Sequence, residues 1–434
     1  MHLPLNVFVL YLYIVAALAT LLIFKSCLVA ALKFLLYPSG PAADFVSRHI
    51  LLPHLFRRRS LWGPMTRIRA FLHAAHLAAT FACNIIGVED ISTARSRAGS
   101  LATLHIASLA VFSQLTFGAA LLNISLPTQQ HLHASVGVMG VFQSLLHVIF
   151  ALQAISFDLR VTIQRYGFAA IISVGVLSFL VLPWIRRRAY EFSTNMHICL
   201  GLATIVVLWL HLRNRFHLDG YLLIGSIGLF FTTTLIRIAY QIYRNWRGLA
   251  VAEKTKKLEG AVMLSFSPTR PWKIRAGQYL YLRIPAVRLF SFAESHPMNI
   301  LWWEESNTDR KTNHITVLAK VDTGFTRRLD SCQYNSFRII LDGPYGKPKD
   351  TDHYDSFVFI ATGIGISAQL AYLKELIMGR DRGQRLRRVC LIWQVDEEDQ
   401  IWYSVGLCIL MQIPQKERRV EKEDEVFNTM ENLT

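Results

Sequence analysis

Two stretches of this chain place histidines where they could share chemistry: HASVGVMGVFQSLLH, from His133 to His147, and HICLGLATIVVLWLH, from His197 to His211. Each pair is 14 positions apart, with no charged residue between its members. Fourteen helical residues rise about 21 Å and make nearly four turns, so both rings of a pair leave one helix face at two levels. A second helix running the same way offers imidazoles at the same two levels. The arrangement suits two stacked planar cofactors clamped between the helices. Haem iron accepts axial histidine, and two imidazoles leave it no open position, which suits electron transfer. Titratable rings at membrane depth are costly and mark function. Single intramembrane histidines more often bond neighbouring helices; His73, His76 and His105 are read that way. His131 competes with His133 but would break the equal spacing.

The elements that must position these rings are apolar. Of 434 residues, 52% are hydrophobic, and the long apolar runs crowd into 1–245. Seven candidate spans lie near 5–32, 68–88, 100–122, 133–155, 166–185, 196–212 and 221–241, each near the roughly 20 residues a bilayer requires. The net charge of +16 comes from arginines beside these runs, as in FRRRSLW and PWIRRRAY. That placement is juxtamembrane and argues against a nucleic-acid partner. The positive-inside rule puts Arg48, Arg57, Arg58, Arg59, Arg67, Arg186, Arg187, Arg188, Arg237, Arg244 and Arg247 in the cytosol. Seven spans then leave the N-terminus outside and everything after about 245 inside. Arg160, Arg165, Arg213 and Arg215 fall outside, against that trend. Six cysteines without regular spacing indicate neither a disulfide framework nor a thiolate metal site.

The second half reads as soluble protein. AVMLSF, QYLYLRIP, HITVLAKV and SFRIIL alternate with turn residues, which predicts a small antiparallel β-barrel over 250–350. SFVFIATGIGISAQLAYLKELIMG followed by RRVCLIWQV predicts one βαβ unit over 355–403. Backbone amides at its helix start could take a phosphate, although the glycine turn lacks the third glycine of the dinucleotide fingerprint. The charged end, 404–434, reads as disordered.

Together the histidine pairs, RRRAYEFSTNMH, GQYLYLRIP, HPMNI, GFTRRL, LDGPYG, ATGIGISAQLAYLKEL and LIWQV, in that order, resemble the fungal ferric-chelate reductases. These belong with the NADPH oxidases among transmembrane flavocytochromes. The resemblance runs over roughly 95–403. It implies two b-type haems on His133, His147, His197 and His211, FAD on the barrel, and NADPH on the lobe after it. His296, Pro297, Met298 and Asn299 resemble the flavin motif, which usually reads His-Pro-Phe followed by Thr or Ser. Gly343, Pro344, Tyr345 and Gly346 resemble the segment bordering the nicotinamide, and Gly363, Gly365 and Ile366 the nucleotide phosphate turn.

The fold expected is therefore a multi-domain membrane protein. A helical bundle of about seven spans (1–245) precedes a cytosolic FAD-binding antiparallel barrel and a partial α/β nucleotide lobe. The lobe looks shortened: 73 residues follow Ala361, and no Cys-Gly pair occurs. The activity implied is NADPH-dependent reduction of extracellular ferric or cupric chelates at the plasma membrane, with a functional link to an iron permease. A superoxide-producing NADPH oxidase, or a haem-binding protein impaired by its short lobe, are the alternatives.

Overall fold

The computed structural model describes residues 45, 47–56, 65–111, 113–213, 218–258, 260–287, 294–306, 312–321, 324–349, 351, 354–381, 383, 385–394 and 409–412. The first expected span, near 5–32, lies outside these residues.

The described chain divides into two compact units, the first holding most of 1–232 and the second 114–129 with 233–434. In the first, α1 (Arg67–Ile85), α2 (Ile91–Val111), α4 (Leu126–Ala154), α5 (Thr162–Leu180), α6 (Pro183–Arg188) and α7 (Tyr190–Leu212) follow one another; α3 (Leu115–Leu121) belongs to the second, and α8 (Leu218–Asn245) runs from one into the other. Asp90 starts α2 by accepting the Thr93 amide at 2.6 Å, and Ser125 does the same for Thr128 at 3.3 Å ahead of α4. Inside the helices Thr103, Ser144, Ser178 and Thr204 donate to the carbonyl four residues back, which satisfies hydroxyls in apolar surroundings.

Four of these helices, α4, α5, α7 and α8, are long and apolar enough to cross a membrane. Over the expected span near 100–122 lie α2 and α3, which make a fifth candidate only if the pair is one span. The expected span near 68–88 is helical as α1, but His73, His76, Thr80 and Asn84 keep it below that apolarity. The described helices thus supply four or five candidate spans.

In the second unit six antiparallel strands close a barrel: β1 (Ala250–Leu258), β2 (Ala261–Phe266), β3 (Tyr279–Arg283), β4 (His296–Glu305), β5 (Thr312–Lys320) and β6 (Ser336–Tyr345), in the order β1-β2-β5-β4-β3-β6. Leu264, Leu280, Ile300, Trp303, Ile315 and Ile339 fill it. Every residue of β2 is buried, because its outer side (Ala261, Met263) meets Leu301 and Leu318 under Ile364 and Leu370 of the following lobe. That lobe is a βαβ unit: β7 (Ser356–Thr362), α10 (Ile366–Asp381) and β8 (Arg388–Gln394), with β7 and β8 parallel. Ile409–Gln412 adds an antiparallel strand, β9, beside β8.

Polar contacts lock the barrel to its neighbours. Glu375 on α10 accepts Arg275 Nε at 2.7 Å and the Ala276 amide at 2.6 Å. Lys374 donates to the Trp303 carbonyl and lies 4.0 Å from the Trp302 ring centre. At the other side, Asn245 exchanges two hydrogen bonds with the Leu341 backbone, at 2.8 and 3.0 Å. Arg237 pairs with the wholly buried Asp342 at 2.9 Å, and Gln114 accepts Arg237 Nη1 at 2.9 Å. The last apolar helix is thereby tied to the strand carrying LDGPYG.

Two predictions follow from these locks. Arg237→Ala leaves the Asp342 carboxylate buried without its cation and should destabilise the second unit by about 3–5 kcal/mol. Chemical denaturation of the full chain checks this, and adding Asp342→Asn should recover part of the loss. Burial holds the Lys374 ammonium down at about 8, against 10.5 when exposed. The unfolded chain then binds more protons across that window, so stability should rise as pH climbs from about 8 towards 10.5. A pH series of unfolding midpoints should lose this increment in Lys374→Met.

Candidate functional site

The histidine pairs meet as their spacing requires. His133 of α4 faces His197 of α7 with ring centres 6.3 Å apart, and His147 faces His211 at 6.4 Å. An iron between two imidazoles demands about 6 Å, taking about 2 Å per metal–nitrogen bond and about 1 Å from nitrogen to ring centre. The Nδ1 of His133 is buried with no hydrogen-bond partner. Among the described residues no cluster of three or more His, Cys, Asp or Glu could cage a metal ion. Each facing pair has the separation that one iron between two imidazoles would require. His131 instead bonds Arg69 at 2.9 Å, outside the pairs.

The 147/211 level is held by a duplicated device that the sequence reading missed. His147 Nδ1 donates to the Arg95 carbonyl at 2.9 Å, and His211 Nδ1 to that of Ile163 at 2.8 Å. A carbonyl only accepts, so Nδ1 carries the proton and Nε2 keeps the ligating lone pair. Four residues beyond each carbonyl stands a glycine. A Cβ on Gly99 would lie 2.8 Å from His147 Nδ1, and one on Gly167 would lie 2.9 Å from His211 Cε1. One turn of α2 and one turn of α5 thus seat the two rings identically, with a carbonyl to orient each and a missing side chain to admit it. The signal, glycine facing histidine, joins positions 48 and 44 residues apart and is invisible along the chain.

On the barrel the four-residue motif is split by the strand pleat. His296 and Met298 share one face of β4, Pro297 and Asn299 the other. Met298 is 3% exposed inside the barrel core. His296 stacks on Phe325 of GFTRRL, rings 3.7 Å apart. Pro297 and Asn299 face outward and pair with Tyr281 and Tyr279. With Tyr345, these tyrosines form a three-ring cluster at 5.9–6.2 Å. Burial first, then neighbouring Tyr281, raises the Tyr279 phenol to about 12. Burial and then the Asp342 carboxylate push Tyr345 up as well, so both rings are neutral near neutrality. Burial pulls Arg283 below its usual value, partly offset by Asp342.

The segment Gly343–Gly346 closes β6. Gly343 has φ +134° and Gly346 φ +102°, and a Cβ on Gly346 would meet the Gly277 carbonyl at 2.7 Å. Gly363–Gly365 make the tight turn from β7 into α10, and Trp393 Nε1 donates to the Gly363 carbonyl at 3.0 Å. Ile366 is buried with Ala361 and Leu391, so only its backbone faces the turn.

The chain matches the FAD-binding domain family over residues 254–349, which is the barrel. A probable cell surface ferric reductase of Aspergillus oryzae is 27% identical over 72% of this chain and 45% of its own length. The chain is similar to fungal ferric reductases over part of their length. Ferric reductase transmembrane component 3 of Saccharomyces cerevisiae is 25% identical over 50% of this chain and 29% of its own. Ferric/cupric reductase transmembrane component 7 of that yeast is 25% identical over 57% and 39% respectively. The chain thus spans less than half the length of each of these relatives. A flavohemoglobin structure from Malassezia yamatoensis covers 76% of this chain and 77% of its own at 14% identity, with a TM-score of 0.33.

Were the 147/211 level to hold a haem, Gly99→Ala and Gly167→Ala should each lower haem content several-fold. Gly137→Ala and Gly201→Ala, where an added Cβ meets nothing within 4 Å, should keep wild-type spectra. Haem quantification and electron paramagnetic resonance of the purified chain check both.

Proposed function

We propose that this chain is a transmembrane metalloreductase of the plasma membrane, carrying electrons from cytosolic NADPH through FAD and two b-type haems to ferric or cupric chelates outside. The observation that carries this reading is the pair of histidine-ring separations, 6.3 and 6.4 Å, repeated at two levels of α4 and α7. His133, His147, His197 and His211 would hold the haems, which would supply one-electron chemistry there.

The protein's own groups do the rest. The Arg95 and Ile163 carbonyls hold His147 and His211 in one tautomer. Pro297, Asn299, Tyr279 and Tyr281 form the outward face for the flavin ring: flat apolar surface from the tyrosines, with an amide to bond the flavin edge. The turn at Gly363–Gly365 presents backbone to a nucleotide phosphate, and Gly343–Gly346 borders the nicotinamide. Ferrous iron made outside is the form a permease would take up.

Purified protein should bind two haems per chain with a low-spin bis-histidine spectrum. His133→Ala or His197→Ala should remove one haem, and His147→Ala or His211→Ala the other. His73→Gln should leave both. Pre-reduced protein should then be re-oxidised by ferric citrate under argon in proportion to haem. A spectrum unchanged by all four alanine substitutions defeats this assignment, and re-oxidation by oxygen alone points to superoxide production.

A further inference from the structure

Beside the 133/197 level lies a second group of histidines that the haem reading does not use. Ser135 Oγ of α4 is 2.9 Å from His73 Nδ1 and 3.3 Å from His76 Nδ1, both on α1. His76 Nε2 is 3.4 Å from Nε2 of His105 on α2, with the two rings stacked at 5.5 Å. His105 Nδ1 is 2.6 Å from the Leu101 carbonyl. Three helices contribute, and His105 is 8% exposed.

The proton positions in this chain follow from its one fixed end. The Leu101 carbonyl can only accept, so His105 Nδ1 carries hydrogen and, in the neutral ring, Nε2 is an acceptor. His76 must then donate from Nε2, which leaves its Nδ1 to accept the Ser135 hydroxyl. Ser135 in turn accepts from His73 Nδ1. Every donor is matched, and all point the same way, from His73 to His105. A proton added to His73 Nε2 is relayed without any atom changing place. His73 gives its Nδ1 proton to Ser135, Ser135 gives its own to His76 Nδ1, and His76 passes its Nε2 proton to His105. One N–H or O–H bond breaks for each that forms, and the product is a buried His105 imidazolium.

We infer that this histidine–serine chain takes up a proton from water when an electron arrives at the adjacent 133/197 haem, compensating its charge inside the membrane. The inference rests on the haem reading above. Ser135 follows His133 by two residues, about 200° around α4, so the relay lies on the far side of that helix from the ring pair. A charge change about 10 Å away in a medium of effective dielectric about 20 alters proton affinity more than tenfold. No acid competes on these helices: α1, α2 and α4 contain no Asp or Glu. Nearby titratable or cationic groups include Arg69 and His131, which bond each other, and His133 itself; from the packed α8, Asp219 accepts Ser100 Oγ of α2 at 2.6 Å.

Spectroelectrochemical titration of the haem-loaded full chain between about pH 5.5 and 8.5 tests this. The potential of the haem lost in His133→Ala should fall with rising pH, by up to about 59 mV per unit, the tenfold-per-unit limit for one electron and one proton. His76→Gln and His105→Gln should flatten that slope while leaving the potential of the 147/211 haem unchanged. Ser135→Ala should keep the slope but slow proton uptake after photoreduction about tenfold or more. Should the glutamine variants lose haem, redox-difference infrared spectra of wild-type protein with labelled histidine decide: a neutral-to-imidazolium change on reduction supports the relay. A pH-independent potential, a slope that survives both glutamine substitutions, or no imidazolium signal overturns it. Absence of haem altogether overturns the underlying assignment instead.

Discussion

The first unit is organised by one geometric requirement: two helices must bring imidazoles face to face twice, about 21 Å apart along the axis. Fourteen residues meet it because they nearly complete four turns, so a ring at each end returns to one face. The rest of the unit accommodates that demand. α2 and α5 each give up a side chain, at Gly99 and Gly167, and each lends the carbonyl one turn earlier. The same solution on two helix pairs gives the 147/211 level a local two-fold likeness. Among the described residues no glycine meets a ring at the 133/197 level, and the histidine–serine chain involves Ser135 two residues after His133.

The second unit obeys a different periodicity. A strand alternates its side chains, so a four-residue motif on β4 cannot act as one surface. Half of it, with Met298, belongs to the barrel's stability; the other half, with Tyr279 and Tyr281, is available to a ligand. The buried Asp342 occupies the join between these roles. It accepts from Arg237 and Tyr345, and so links the last apolar helix, the strand ending in Gly343–Gly346 and the tyrosine cluster in one network. Such a buried ion pair is a poor source of net stability but expensive to break. That makes it a device for holding position.

Both kinds of period were legible in the residues themselves. Equal histidine spacing, apolar run length, strand alternation and the glycine turn before an amphipathic helix each depend on neighbours within one element. The facing histidine rings, an antiparallel barrel and a βαβ unit could therefore be foreseen as geometry. The curated proteins the chain matches are fungal ferric reductases, as the order of its motifs suggested. The count of seven spans goes beyond the described helices, which give four or five and leave 5–32 outside them.

What only the tertiary structure decided are contacts between elements distant in sequence. Gly99 meeting His147, Arg237 meeting Asp342, and Ser135 standing between His73 and His76 span 48, 105 and about 60 positions. Each depends on which helix or strand lies alongside which, and on the rotation of each about its own axis. Spacing within an element determines which residues share a face. Packing between elements determines what that face meets, and no local pattern carries that information.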